Sequence, residues 1–425
     1  LAVNPVFISQ SEGSDFFLKA LNHARQHRFA CWLNGNGYEY PQGCFPNLLA
    51  WGETPAEPVP EIPDRIFGFL GYDFTRSYFF TEPDERPVFQ EFPEQVFFKP
   101  RAWLEEVPGG WKLWSEDPEA QFHAIGEVSA FSPKALPGIS FQNRISEQDY
   151  LQGVRDVQDR ILAGDVYELN LCQYLEAQAD PDGLSVYLEL NRRFPMPFSG
   201  WMKADHFELA CASPERFLLQ QGDRLLTQPI KGTAPRGTTP EEDEKLRHQL
   251  YHSEKERAEN MMIVDLMRND LARISTVGSV NVPEIFGIYS FPTVHQMIST
   301  VASRLQKEVS AAQFWQATFP MGSMTGAPKW EVMKWISRFE PVRRGAYSGA
   351  MGFIGPGPQL DLNVLIRTLF INHKTQTCGL AIGSAITIDS VPEKEWAECG
   401  TKARAMLSLF GTTWAEAQLP ATGNT

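Results

Sequence analysis

A mixed α/β fold is predicted by three observations. Short apolar runs of strand length alternate with stretches of helical period, each bounded by glycine, proline or a capping residue. The chain of 425 residues is 43% hydrophobic and 12% aromatic, enough for a sizeable core. Strand and helix signals are interleaved rather than segregated, so one large intertwined unit is as compatible with the length as two or three domains.

Charge and cysteine usage exclude several classes. A formal net charge of −14 argues against nucleic acid and anionic membrane surfaces, both of which need a basic footprint. Cys31, Cys44, Cys172, Cys211, Cys378 and Cys399 are scattered without a CxxC pair, which suits reduced cytosolic thiols better than a disulfide frame or a zinc site. The opening Leu-Ala-Val-Asn-Pro has neither signal-peptide nor transit-peptide character, and no apolar run reaches bilayer-spanning length. A soluble, cytoplasmic protein is expected.

Residues 1–131 read as a β-rich lobe packed into the same unit, with strands at Phe29 to Leu33, Ile66 to Tyr72 and Gln95 to Phe98, and with Trp103, Trp111 and Trp114 as strand or hairpin core. Residues 132–145, with Pro133 and Pro137, read as a linker. The catalytic region is placed at 146–415, and 416–425 is expected to be a flexible tail. Within 146–415, Ser146 with Asp149 starts a helix carrying Tyr150, Val154, Val157 and Ile161, and Gly164 stops it. Tyr167, Leu169 and Leu171 alternate as a strand, Leu184 to Arg193 reads as a helix, and Gly222-Asp223 turns a hairpin between Arg216–Leu219 and Pro229.

Several stretches carry candidate chemistry. In Gln228-Pro-Ile-Lys-Gly-Thr-Ala-Pro-Arg-Gly237, Lys231 is bracketed by proline and glycine, so its backbone is expected to be held in one shape, near the end of a strand or in its turn. Its amine can serve as an ion-pair partner, an anion contact or a nucleophile, or be a solvated loop lysine. Ser253 with Glu256 starts a helix on which Glu259 needs an arginine or a cation as partner, while Asp265, Arg268 and Asp270 read as a structural ion-pair network. Thr325 fits the N-cap of the next helix with Pro328 in its first turn, and that helix start is either an ordinary cap or a seat for an anion.

Arg367 follows apolar strand residues and needs a ligand carboxylate or an internal acid. The stretch Gly379 to Ala385 reads as a close-approach loop, and His295 alone reads as a satisfied core histidine. On the last helix Glu395, Glu398 and Lys402 share one face. They form either an exposed ion pair or, with Glu259, an oxygen site suited to Mg2+.

Ser213-Pro-Glu-Arg-Phe217, Glu259 to Asp270, Thr325-Gly-Ala-Pro-Lys329 and Ile366-Arg-Thr368, in that order, resemble the chorismate-binding enzymes, a family that includes anthranilate, aminodeoxychorismate, isochorismate and salicylate synthases. The matching motifs run from about Gly164 to Lys402, and Gly68 to Phe74 resembles the family's N-terminal part. The resemblance implies large β-sheets packed between helices around an interior cleft. It also implies Mg2+ bound by Glu259 and Glu398 with Glu395 assisting. Arg367, Tyr347, Lys402, Gly383 and Ser384 would contact chorismate, His295 and Thr325 would line the ring site, and Glu215 would protonate the departing 4-hydroxyl.

Pro-Ile-Lys-Gly-Thr at Lys231 resembles the aminodeoxychorismate synthases, where anthranilate synthases, the alternative assignment, carry alanine in place of the lysine. The implied reaction is amination of chorismate through a covalent Lys231 intermediate, for 4-aminobenzoate and folate synthesis, with ammonia from a partner glutamine amidotransferase. Two departures stand out. Glu168 falls where ammonia-using relatives usually carry glutamine and water-adding ones lysine, and Ser384 replaces a common glycine. Trp32-Leu-Asn-Gly-Asn-Gly37 does not reproduce the Leu-Leu-Glu-Ser motif of tryptophan-inhibited anthranilate synthases.

Overall fold

The computed structural model describes residues 5–60, 62–292 and 294–418. Two large antiparallel sheets dominate it, one of 12 strands and one of 10. The mixed α/β prediction holds, and the first 130 residues contribute strands to both sheets. In the larger sheet Phe29–Asn34 pairs with Phe198–Ala204, joining the early strands to Phe207–Ser213, Thr368–Asn372, Thr377–Ile386 and Glu168–Gln178. In the smaller, Ile66–Leu70 pairs with Ala350–Ile354. Nearly all buried apolar side chains, from Ile8 to Ala417, belong to one continuous cluster.

Local signals act as the sequence suggests where local chemistry decides. The Ser146 hydroxyl accepts the Asp149 N–H at the start of helix Glu147–Leu162, which buries Tyr150, Val154 and Val157. Gly222-Asp223 turns the hairpin between Arg216–Gln221 and Arg224–Gln228. Trp103 and Trp114 stack across theirs with centroids 5.8 Å apart. Of the expected tail, residues 419–425 lie outside the described residues, whereas Ala417 is buried and its carbonyl accepts the Asn143 N–H at 2.7 Å.

Three local expectations are corrected. Gly379 to Ala385 is not a loop but the middle of strand Thr377–Ile386, paired along its length with Glu168–Gln178. The glycine there is needed inside the sheet, because a Cβ on Gly383 would meet the Asn170 side chain at 2.6 Å. Thr325 is not an N-cap. Gly326–Ala327 is held extended against Glu168 and Leu169, so the helix begins only at Lys329 with Pro328 as its cap, and the Thr325 hydroxyl donates back to the Met321 and Gly322 carbonyls.

Asp270 takes no part in an Arg268 network, since residues two apart on a helix do not face each other. Arg268 pairs with Asp265 at the surface, and Asp270 accepts from the buried Lys329 ammonium at 2.5 Å. Lys231 lies near the start of a strand, Ile230–Pro235. The register slips from Ile230↔Ile298 to Thr233↔Gln296, so Lys231 and Gly232 form a bulge. Gly232 takes φ +93 there, a conformation that L side chains resist.

A buried ion pair ties a strand of the larger sheet to the turn at Met324. Both oxygens of Glu340 take hydrogen bonds from Arg344, at 2.6 and 3.0 Å, and the rest of that guanidinium donates to the carbonyls of Met324 and Asn170. Tyr174 Oη and the Cys172 N–H also donate to Glu340. Both charges are out of water and fully paired, a situation in which losing one partner strands the other. Glu340→Ala is expected to lower the unfolding free energy by about 3–5 kcal/mol, read from the shift of the urea midpoint.

Candidate active site

The register of the smaller sheet builds the centre of the site. Arg216 pairs with Gln228, so the residue before one strand, Glu215, meets the start of the next, Ile230. The Ile230 N–H donates to Glu215 Oε1 at 3.4 Å, and the Ser323 hydroxyl donates to the same oxygen at 2.9 Å. Glu215 is buried, and burial pushes its pKa up to about 7 against these hydrogen bonds and the nearby Lys231 and Arg367. A carboxyl tuned to neutrality can give or take a proton under ordinary conditions.

The bulge aims Lys231 across to the larger sheet. Its Nζ donates to Glu168 Oε1 at 2.8 Å, at the first residue of strand Glu168–Gln178. Burial alone would lower the amine's pKa, but the carboxylates of Glu168, Glu259 and Glu215 outweigh it and hold the pKa above the usual lysine value. The resting amine is therefore an ammonium. Glu168 is buried, and its second oxygen has no hydrogen-bond partner among the described residues.

Arg367 follows strand Gln359–Asn363 with φ +51, a left-handed conformation uncommon for a non-glycine residue. Its carbonyl accepts the Ala212 N–H, and among the described residues its guanidinium hydrogen-bonds the Met196 sulfur alone, at 3.8 Å. No carboxylate forms an ion pair with it among the described residues. Desolvation lowers its pKa, with Glu215 opposing. A strained, under-partnered cation in the interior is a seat for an anion.

On the acidic side, burial pushes Glu259 up to about 7 and raises Glu256 as well. Glu398 is held below the usual carboxylate value because Lys402, 2.8 Å away, outweighs the effect of burial. Lys255 feels Glu259, Glu395, Glu256 and Glu398 together, which puts the carboxylates of helices Glu254–Ala272 and Pro392–Ser408 in one neighbourhood. Such a concentration of acids, partly driven towards protonation, suits a hard divalent cation. Glu259 and Glu398 fit a site in which a ligand and water complete the shell, and no group of three His, Cys, Asp or Glu side chains converges on its own among the described residues. Glu395 fits less well, because its oxygens accept from Ser384 and Ser390.

Of the remaining expected residues, Lys402 also donates to the Gly383 carbonyl at 2.8 Å, tying the last helix to the strand that carries Ser384. Tyr347 is buried with its hydroxyl against Cys172 Sγ at 3.9 Å. Thr325 is buried beside Asn170, whose N–H its carbonyl accepts. His295 stands apart: Ser290 takes Nδ1 and Asp243 takes Nε2, and no hydrogen bond or ion pair links it to Lys231, Glu215 or Glu259. Two polar contacts of the site were not anticipated. Ser323 lies in the Met321-to-Lys329 run and could have been flagged as a hydroxyl near a chemical motif; the Lys231–Glu168 pair spans the two sheets and leaves no local signal.

Residues 36–408 match the model of the chorismate binding enzyme family, and the chain belongs to that family. It is 40% identical over 366 residues to aminodeoxychorismate synthase component 1 of Klebsiella aerogenes, covering 84% of this chain and 80% of the relative. It is 42% identical over 264 residues to a probable chloroplastic aminodeoxychorismate synthase of Oryza sativa subsp. japonica, covering 61% of this chain but only 29% of that longer protein. Anthranilate synthase component I from Streptococcus pneumoniae TIGR4 shares the fold, with a TM-score of 0.73 at 23% identity over 96% of this chain and 93% of that one.

The raised pKa of Glu215 has a signed consequence for stability. A carboxyl whose folded pKa lies above its unfolded value stabilises the fold below the unfolded pKa, and that contribution is lost as pH rises through about 7. Glu215→Gln is therefore expected to raise the melting temperature relative to wild type more at about pH 8 than at about pH 5. Thermal scans of both proteins at the two pH values provide the check.

Proposed function

We propose that the chain aminates chorismate to 4-amino-4-deoxychorismate by way of a covalent intermediate on Lys231. The observation that carries this reading is the Lys231 amine itself, held out of water on a bulge with one carboxylate at hydrogen-bond distance and Glu215 in the same neighbourhood. Lysine nucleophiles need both a fixed position and a route for losing a proton. The similarity to aminodeoxychorismate synthases supports the same reaction.

In this reading Arg367 binds one carboxylate of the substrate, and Tyr347, Lys402 and the Gly383–Ser384 strand line the rest. The Lys231 amine attacks C2, and the 4-hydroxyl leaves as water with the proton of Glu215. Ammonia then attacks C4 and expels the lysine. Mg2+ held by Glu259 and Glu398 would supply positive charge for the ring carboxylate. The ammonia comes from a partner glutamine amidotransferase, a reading supported by the component 1 designation of the Klebsiella relative. The product leads to 4-aminobenzoate and folate. A reducing cytoplasm suits the six cysteines, all free and five of them buried. No helix among the described residues is long and apolar enough to cross a membrane.

Mass spectrometry of the protein incubated with chorismate and Mg2+ without ammonia is expected to reveal an adduct on Lys231 that Lys231→Ala lacks. With ammonium added, wild type should form 4-amino-4-deoxychorismate and the variant should lose at least about a hundredfold in rate. Equal turnover by the two proteins, or release of fluorescent anthranilate, would overturn the assignment. Removing divalent cations with a chelator is expected to abolish turnover and Mg2+ to restore it, measured by product formation before and after addition.

A further inference from the structure

We infer that Glu168 is the general base that takes the proton from Lys231 when the nucleophile is generated, leaving Glu215 free to remain the acid. This deepens the proposed function and rests on its reading of Lys231 as the nucleophile.

The argument begins from two proton tasks. The lysine must lose a proton before it attacks, and the departing hydroxyl must gain one as it leaves. One carboxyl cannot be ionised for the first and protonated for the second. The geometry separates the tasks. Glu215 accepts from Ser323 and from the Ile230 N–H and has no hydrogen bond from Lys231. Glu168 Oε1 takes the Lys231 ammonium at 2.8 Å, and these side chains are 1% and 11% exposed respectively.

The ion pair is also poorly supported on the acid side. Glu168 Oε2 is buried without a hydrogen-bond partner among the described residues, so the carboxylate has little besides Lys231 to compensate its charge. Moving the proton from Nζ to Oε1 removes two buried charges together, and exclusion of water by a bound substrate favours that transfer further. The other groups acting on the lysine, Glu259 and Glu215 most strongly and Glu256 and Glu398 more weakly, are all acids that hold it protonated and none hydrogen-bonds it.

The step balances. The proton passes from Nζ to Glu168, the Nζ lone pair forms the bond to C2, the C1=C2 electrons shift to C1=C6, and the C5=C6 electrons shift to C4=C5. The C4–O bond breaks, and the hydroxyl takes the Glu215 proton and departs as water. Glu168 ends neutral, Glu215 ionised and the substituted Nζ positive, so the summed charge is unchanged. When ammonia expels the lysine, Glu168 returns its proton to Nζ.

The test is the pH dependence of adduct formation on Lys231 with chorismate and Mg2+, followed by rapid quench and mass spectrometry. Wild type is expected to keep its rate on the acid side, because the proton passes within the pair, and to slow as pH rises through about 7 and Glu215 ionises. Glu168→Gln keeps the shape and one acceptor but must release the lysine proton to solvent. Its rate is expected to fall about tenfold per pH unit below the amine's own pKa, leaving it at least about tenfold below wild type near pH 6. Glu168→Asp retains a carboxylate and should be slower without acquiring that acid limb. An acid side in Glu168→Gln that matches wild type, or an equal acid limb in Glu168→Asp, would overturn the inference while leaving the nucleophile intact. Absence of any adduct in wild type would overturn the nucleophile reading and this inference with it.

Discussion

The site depends on an ion pair that touches none of its expected ligands. Arg344 and Glu340 are both buried, and between them they hold the backbone of Asn170, the backbone of Cys172, the hydroxyl of Tyr174 and the carbonyl of Met324. These groups belong to the strand that begins with Glu168 and to the turn beside Ser323 and Thr325. Replacing such a pair by apolar residues of similar volume often costs nothing in stability, so its value here lies in geometry. A guanidinium with fixed donor directions sets where the strand and the turn lie relative to one another. With those fixed, Glu168 can face Lys231 and Ser323 can face Glu215.

Around that frame the site sorts charge by sign. Arg367 is a cation without an ionic partner among the described residues, while Glu259, Glu256 and Glu398 crowd on two helices and are partly relieved by Lys255 and Lys402. Lys231 and Glu215 lie in the field of both groups. A dianionic ligand bridging the arginine and a cation on the acidic helices would neutralise both ends at once, consistent with a chain whose overall charge is strongly negative.

Much of the fold was legible because it rests on local chemistry. The Ser146 cap, the Gly222-Asp223 hairpin and the stacked tryptophans are decided by residues within a few positions of one another. The errors have equally physical origins. Glycines at Gly379 and Gly383 suggested a loop, yet they serve close packing inside a long strand. Asp270 was assigned to its helical neighbour, but its partner Lys329 is on another helix, and long-range pairs leave no periodicity to read. Thr325 has the chemistry of a cap, and a two-residue strand pairing overrides it. At the site, Glu215 and Lys231 stood out through the resemblance of their motifs, whereas the role of Glu168 depends on a bulge that turns Lys231 towards another sheet.

The interleaving of the sheets also governs how the chain reaches this state. Ile66–Leu70 has Gln95–Lys99 on one edge but waits for Ala350–Ile354 on the other, and Phe29–Asn34 has Leu48–Gly52 but waits for Phe198–Ala204. Contacts of such sequence separation carry the loop-closure cost first and the stabilisation last, so folding is slow relative to a chain of local hairpins. During synthesis these early strands keep one edge unpaired long before its partner exists. The molecule is thus most exposed to misassociation while it is being made, and it is the stretch after Ala350 that closes the smaller sheet.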